Sequence, residues 1–223
     1  MKILCVADIH GSRNELLVVK KIADDEKPDL VLILGDYSGH GGFHDIEGNK
    51  NDAKFALETF KDFNVKAIIG NCDNLDVLNV LSESGVNLHE KKEEISGITF
   101  IGLGGSNTTP FNTPTEFSED DIYKKLKKLF EDAKNKKVIL ATHFPPKDTE
   151  CDKIASGLHP GSSGLRKIIE EFQPMLNVCS HIHEAGGKID RIGKTKIASI
   201  GPVKNGYGLI NLNGKLEVLL PRF

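Results

Sequence analysis

Lys2-Ile3-Leu4-Cys5-Val6-Ala7-Asp8-Ile9-His10 opens the chain with an apolar run that leads without a gap into a carboxylate and an imidazole. Such a short, nearly unbroken apolar run suits a strand buried on both faces. Ser12-Arg13-Asn14-Glu15 then has capping-box spacing, and Leu16, Val19, Ile22 and Ala23 continue at helical period. The first unit is therefore strand, polar end, helix. The strand-then-polar-end phrase recurs. Residues 30–34 run into Gly35-Asp36, residues 65–69 into Gly70-Asn71-Cys72-Asp73, residues 137–141 into Thr142-His143, and residues 175–179 into Ser180-His181-Ile182-His183.

The intervening segments supply the rest of the architecture. Residues 37–49 are rich in Gly and His and read as a loop, followed by an amphipathic helix marked by Ala53, Ala56, Leu57 and Phe60. Leu75, Leu78 and Leu81 mark the next helix, with Asp73 placed as its N-cap. Residues 98–101 form the clearest strand of a stretch of short runs, and residues 102–114 form a Gly, Thr and Pro loop. Ser118 and Asp121 have capping-box spacing ahead of Ile122, Leu126, Leu129, Phe130 and Ala133, which share one helical face. A loop over 145–161 precedes a short helix through Leu165, Ile168, Ile169 and Phe172, and residues 188–220 read as a closing antiparallel meander. Strand–helix alternation followed by consecutive strands predicts an α/β (α+β) fold, with one mixed sheet or two stacked sheets and helices outside.

A length of 223 residues fits a single domain spanning 1–223. Charged residues make up 27% and the net charge is −3, so composition gives no reason to expect bulk nucleic-acid or membrane binding. No apolar run approaches the roughly 20 residues that span a bilayer. Residues 1–7 are too short an apolar stretch for a secretory signal, and Cys5, Cys72, Cys151 and Cys179 show no CxxC pairing. These features lead us to expect a reducing, cytoplasmic setting, and they leave homo-oligomers open.

Ligands in open α/β sheets collect beyond the carboxyl ends of strands. Asp8, His10, Asp36, Asn71, His143, His181 and His183 all stand there. In Asp8-x-His10 and His181-x-His183, the paired residues would point the same way if the extended conformation continued. Imidazole, carboxylate and amide oxygen form a mixed donor set for Mn, Fe, Co, Ni or Zn, without the thiolate cluster of a structural zinc site. Seven side chains are too many for one ion. Two divalent ions sharing Asp36, manganese first among the candidates, would deprotonate a bridging water and hold a phosphoryl oxygen.

In order along the chain, Asp8-x-His10, Gly35-Asp36, Gly70-Asn71-x-Asp73, His143 and His181-x-His183 resemble the motifs of the calcineurin-like metallophosphoesterases. The resemblance implies a two-sheet sandwich flanked by helices. It also implies one metal held by Asp8, His10, Asp36 and His183, and another by Asp36, Asn71, His143 and His181. There are two departures. Ser180 stands where the family usually has Gly, a change expected to be tolerated. Cys72 stands where a His commonly sits beside the substrate, oriented by the following acid, here Asp73.

The resemblance and its departures lead to the functional expectation. Asn71, Cys72, Asp73 and His143 are the expected catalytic residues. A thiol has no cationic form and suits a dianionic monoester poorly. Relatives bearing Cys are associated with diesters, so the expected activity is hydrolysis of a small phosphodiester by attack of a metal-bridging hydroxide. A monoesterase or nucleotide phosphatase is the alternative substrate reading. A non-catalytic interaction scaffold of the same fold is the alternative from another class, and the complete ligand set argues against it. His40, His44 and His159 lie in loops that follow ligands and are candidates for substrate contact. Gly104 and Gly105 could form an anion-binding nest or a plain turn. Specificity is expected in the loops 37–50, 104–116 and 145–161.

Overall fold

The computed structural model describes residues 1–39, 42, 44–131, 133 and 137–223. The opening run forms β1 (Lys2–Val6), followed by α1 (Arg13–Glu26), β2 (Leu30–Ile33), α2 (Ile46–Thr59), β3 (Val65–Ala67) and α3 (Leu75–Glu83). Next come β4 (Lys91–Ile95), β5 (Ile98–Leu103), β6 (Ser106–Asn107), β7 (Glu116–Phe117), α4 (Glu119–Phe130), β8 (Val138–Thr142), α5 (Ser163–Phe172) and β9 (Leu176–Cys179). The chain closes with β10 (Lys188–Ile192), β11 (Thr195–Ser199), β12 (Gly208–Asn211) and β13 (Glu217–Leu219).

The strands make two mixed sheets, ordered β13-β12-β1-β2-β3 and β10-β11-β9-β8-β5-β4. Alternation along the strands explains the layers. Ile3, Cys5, Leu30, Leu32, Phe100, Ile139, Leu176 and Val178 meet in the core between the sheets. On the opposite face of the first sheet, Leu4, Val6, Val31 and Ile33 pack against Leu16, Val19, Ala53, Phe60 and Val77 of the helical side. On the outer face of the second, Ile101, Leu103 and Leu140 pack against Leu126, Phe130, Leu165 and Ile168. Both faces of each sheet are covered, which is why the strands read as continuous apolar runs. Burying each large side chain contributes about 1.5–3 kcal/mol relative to leaving it exposed.

Several local expectations are corrected. α2 begins at Ile46, inside the stretch read as loop, because the Asp45 carboxylate accepts the Gly48 N–H at 2.9 Å. Ser12 is the N-cap of α1 without a side-chain cap bond; its backbone, at φ −73° and ψ 66°, turns instead through Ser12 N–H to the Ile9 carbonyl. Asn74 rather than Asp73 caps α3, accepting from the N–H groups of Asp76 and Val77. The buried face of that helix carries Val77, Val80 and Leu81, leaving Leu75 at 70% exposure. The closing strands are not one meander: β10–β11 and β12–β13 are hairpins on opposite sheets, and β11 joins β9 in parallel. All four cysteines are free. Among the described residues no helix is long and apolar enough to cross a membrane.

This topology positions the chemistry. β1, β2 and β3 are mutually parallel in one sheet, as are β5, β8 and β9 in the other. The Leu34 carbonyl, just past β2, accepts a hydrogen bond from His143 Nδ1, just past β8, at 2.7 Å. The carboxyl ends of the two sheets are thereby joined at one edge.

Candidate metal centre

The backbone at this edge does not stay extended. Asp8, His10, Asp36 and His181 have φ of 45°, 43°, 56° and 67°, so the Asp-x-His pair converges through left-handed turns rather than through strand periodicity. Such conformations cost about 1–3 kcal/mol each and persist only where neighbours enforce them. Here the enforcement is a backbone zipper: Asp8, His10 and Gly11 donate to the carbonyls of Gly35, Asp36 and Tyr37. Gly35 and Gly70 permit the close approach of the next strand ends. A Cβ on Gly35 would overlap the Gly70 backbone, and one on Gly70 the Asp36 carboxylate.

The result is two clusters. Asp8, His10 and His183 form one, and Asp36, His143 and His181 the other, each offering three ligand atoms within 4.8 Å of one another. Asp36 Oδ2 lies 3.5 Å from His10 Nε2 and 3.3 Å from His143 Nε2, between one histidine of each cluster. Asn71 Oδ1 stands 3.0 Å from His143 Nε2 and thus joins the second cluster. Because a carbonyl only accepts, His143 Nδ1 must carry the hydrogen that bonds to Leu34, and Nε2 faces the centre.

A divalent cation fits this donor set. Asp8 Oδ1 is buried and has no hydrogen-bond partner, yet lies 3.8 Å from both His143 Nε2 and His183 Nε2. An unpaired buried carboxylate oxygen facing imidazole nitrogens is costly unless a cation sits among them. Burial works against charge on His143, but the carboxylates of Asp36 and Asp8 raise it to about 9. Burial would also raise Asp36, but the surrounding histidines hold it well below the usual carboxylate range. His181 goes the other way: burial, then His143, lowers it to about 4, leaving a neutral ring able to ligate.

The segment after β3 divides its work differently from expectation. Cys72 N–H donates to Asp36 Oδ1 at 2.9 Å, so the thiol sits beside the carboxylate that lies between the two clusters. Burial, with Asp36 and Asp73 behind it, pushes that thiol far above its ordinary value. Asp73 does not orient it. The Asp73 carboxylate accepts from the N–H groups of Gly70, Asp36, Tyr37 and Ser38 and from the Ser38 hydroxyl, fixing the turn that carries Asp36. Burial and the charge of Asp36 push Asp73 up to about 6 against the pull of those donors.

Residues with no motif to mark them hold the ligands. Asn71 Nδ2 donates to Thr113 Oγ1 at 3.0 Å, which turns the amide oxygen toward His143, and Thr113 Oγ1 in turn donates to Glu116. Ser180 Oγ donates to Asp8 Oδ2 and accepts the Gly201 N–H at 3.1 Å. The serine expected to be merely tolerated therefore fixes which oxygen of Asp8 faces the centre. Position, not residue type, was the available signal: Ser180 immediately precedes His181, whereas nothing in its own sequence marks Thr113.

Among the described residues, the expected substrate glycines and His159 are engaged in contacts of their own. Gly104 N–H donates to His89 Nδ1 and Gly105 N–H to the Ile69 carbonyl, so the two amides serve the turn and not an anion nest. His159 Nδ1 is held by the buried Asp152 carboxylate at 2.7 Å, beside Pro160. His44 is exposed in the turn ahead of α2, and His40 lies outside the described residues.

Comparison with known proteins agrees with this picture. The family model for calcineurin-like phosphoesterases matches residues 1–185. An uncharacterized protein of Methanocaldococcus jannaschii is 36% identical over 225 aligned residues, covering 98% of this chain and 95% of that one. Among solved structures, a dimetal phosphatase from Danio rerio superposes with a TM-score of 0.71 at 13% identity, covering 98% of this chain and 96% of its own. A novel archaeal phosphodiesterase does so at 0.51 and 14%, covering 99% of this chain and 100% of its own. At these identities the structural matches speak for the fold alone. Family model and two-sheet fold agree with the paired ligand clusters: the chain belongs to the calcineurin-like phosphoesterases, a family of metal-dependent phosphoester hydrolases.

Proposed function

We propose that this chain is a phosphodiesterase dependent on two divalent metal ions, manganese first among them. Asp8, His10, Asp36 and His183 would hold one ion, and Asp36, Asn71, His143 and His181 the other. When bound, such a pair supplies the polarisation that activates a water and offsets charge on phosphoryl oxygens. The chain's own residues do the rest. Leu34 fixes the His143 ring with Nε2 inward, and Thr113 fixes the Asn71 amide, so both ligands are in place without reorganising. Asp73 holds the 36–38 turn and with it the carboxylate common to both clusters.

Cys72 carries the preference for diesters. Its backbone is bonded to Asp36, placing a thiol, neutral at ordinary pH, at the edge of the centre where an imidazolium would pair with a second phosphoryl charge. A diester has no second charge to pair. The test compares bis(p-nitrophenyl) phosphate with p-nitrophenyl phosphate on the manganese-loaded protein, in wild type and Cys72→His. We expect the wild type to favour the diester and the variant to gain monoesterase activity by about tenfold. A wild type that prefers the monoester would sink the reading. Failure of the manganese-loaded protein to cleave any phosphoester would favour the scaffold.

A further inference from the structure

An apolar groove of about 410 Å³ opens directly against the candidate ligands His181 and His183. Pro110 and Phe111 form one wall, and Ile154 and Pro160 the other, with Ile182 between the two histidines. The walls come from the loops 104–116 and 145–161, which meet where Asn107 Nδ2 donates to the Pro160 carbonyl at 3.1 Å. Phe111 is 75% exposed and adds its ring to the apolar surface beside the ligands.

The groove is coupled to the centre. Glu116 Oε1 accepts from both Thr109 Oγ1 and Thr113 Oγ1; Thr109 Oγ1 accepts the Phe111 N–H, while Thr113 holds the Asn71 amide. One carboxylate therefore fixes both the turn that presents Phe111 and the orientation of a candidate ligand. On the other side, Glu184, next to His183, accepts the Ala155 N–H at 2.6 Å and ties down the loop that carries Ile154.

Charge narrows the occupant. Among the described lining residues there is no Lys or Arg, and Glu184 is the one acid. A second phosphate, as in a polyphosphate or a nucleic-acid strand, would meet a carboxylate and hydrocarbon there. An uncharged hydrocarbon group would cover Phe111 and Ile154 and displace water from them.

We propose that the groove receives an uncharged alkyl or aryl ester group of the phosphodiester whose phosphoryl group sits at the metal centre. This rests on the phosphodiesterase reading above and adds the chemistry of one of its two ester groups. The test measures dissociation constants of dimethyl phosphate and methyl octyl phosphate on the manganese-loaded protein by ligand-observed NMR. Hydrolysis of bis(p-nitrophenyl) phosphate is followed alongside. Each fully buried methylene is worth about fourfold in affinity, so covering only about two of those added gives a preference of tenfold or more for the octyl ester.

Phe111→Asp and Ile154→Asp should each collapse that ratio to about twofold, and Phe111→Leu should keep it. Because the readout is a ratio on one preparation, a partly unfolded variant lowers both affinities and leaves the ratio intact. Equal affinities in the wild type, or a ratio that survives both aspartates, would overturn the proposal. Diester cleavage without chain-length dependence overturns this proposal alone, whereas absence of any phosphoester cleavage overturns the phosphodiesterase reading and this one with it.

Discussion

Each half of the centre has one carboxylate and two imidazoles, with the Asn71 amide added on the Asp36 side, and the two are supported in different ways. In the Asp36 half, the side chains of Asp36 and His143 are 3% and 0% exposed, and the supports come from the Cys72 amide, the Leu34 carbonyl and Thr113. In the Asp8 half, the side chains of His10 and His183 are 33% and 45% exposed, and the firm supports are those on Asp8 itself. His10 Nδ1 has a longer contact to the Ser38 carbonyl at 3.3 Å. Preorganised ligands lose less conformational freedom on binding, so similar donors need not bind equally well. The buried half is expected to bind the tighter ion, and the open half the ion that exchanges.

Asp36 tests whether the halves are separate at all. Its Oδ2 lies between them, so Asp36→Ala should lower kcat/KM on the order of a thousandfold and reduce bound manganese from two equivalents to one or fewer. Elemental analysis beside the kinetics checks both. Full metal content in that variant would show that Asp36 is not shared. A smaller effect sharpens the contrast. After chelation, manganese titration followed by calorimetry should show two events, and His183→Gln should weaken only the weaker of them, by about a hundredfold. Loss of the tighter event in that variant would reverse the assignment of the halves.

Thr113→Val addresses the support of the buried half. The substitution keeps the shape but removes the acceptor for Asn71 Nδ2, so the amide can rotate its oxygen away from His143. Affinity for the tighter ion should fall about thirtyfold, with little change at the weaker one. Equal weakening of both would mean that the 104–116 loop supports the centre as a whole.

This asymmetry was only partly legible in the sequence. The five strand ends declared themselves because their apolar runs, buried on both faces, stop abruptly at Asp, Asn or His. The helices anchored by Ile122, Leu126 and Phe130 or by Leu165 and Ile168 were equally visible, since periodicity is local. What the sequence does not display is orientation. Left-handed backbone at Asp8 and His10 depends on hydrogen bonds to a distant turn, from Asp8 to Gly35 and from His10 to Asp36. The shift of Asp73 from capping α3 to holding the 36–38 turn likewise depends on a partner 37 residues away, and Asn74 was the better cap hidden beside it. The destination of the last two hairpins is equally non-local: nothing in residues 195–219 distinguishes the sheet that receives β11 from the one that receives β12.

Ser180 offers the finest test of the difference between the halves. Its hydroxyl donates to Asp8 Oδ2 and accepts from Gly201, so it selects the rotamer that leaves Oδ1 facing His183 and His143. The Asp8 backbone is held independently by its N–H to Gly35, so losing the hydroxyl frees the side chain without unfolding the turn. Ser180→Gly, which restores the residue usual in the resembling family, should therefore weaken the more exchangeable ion by about tenfold while leaving the tighter one within about twofold. The two-event manganese titration reads both at once, and a thermal melt of the metal-free protein separates a ligand effect from lost packing. If the weaker event is unchanged, Asp8 is positioned by its backbone alone; if the tighter event moves as much, the two halves respond as one rigid centre and the contrast between them fails.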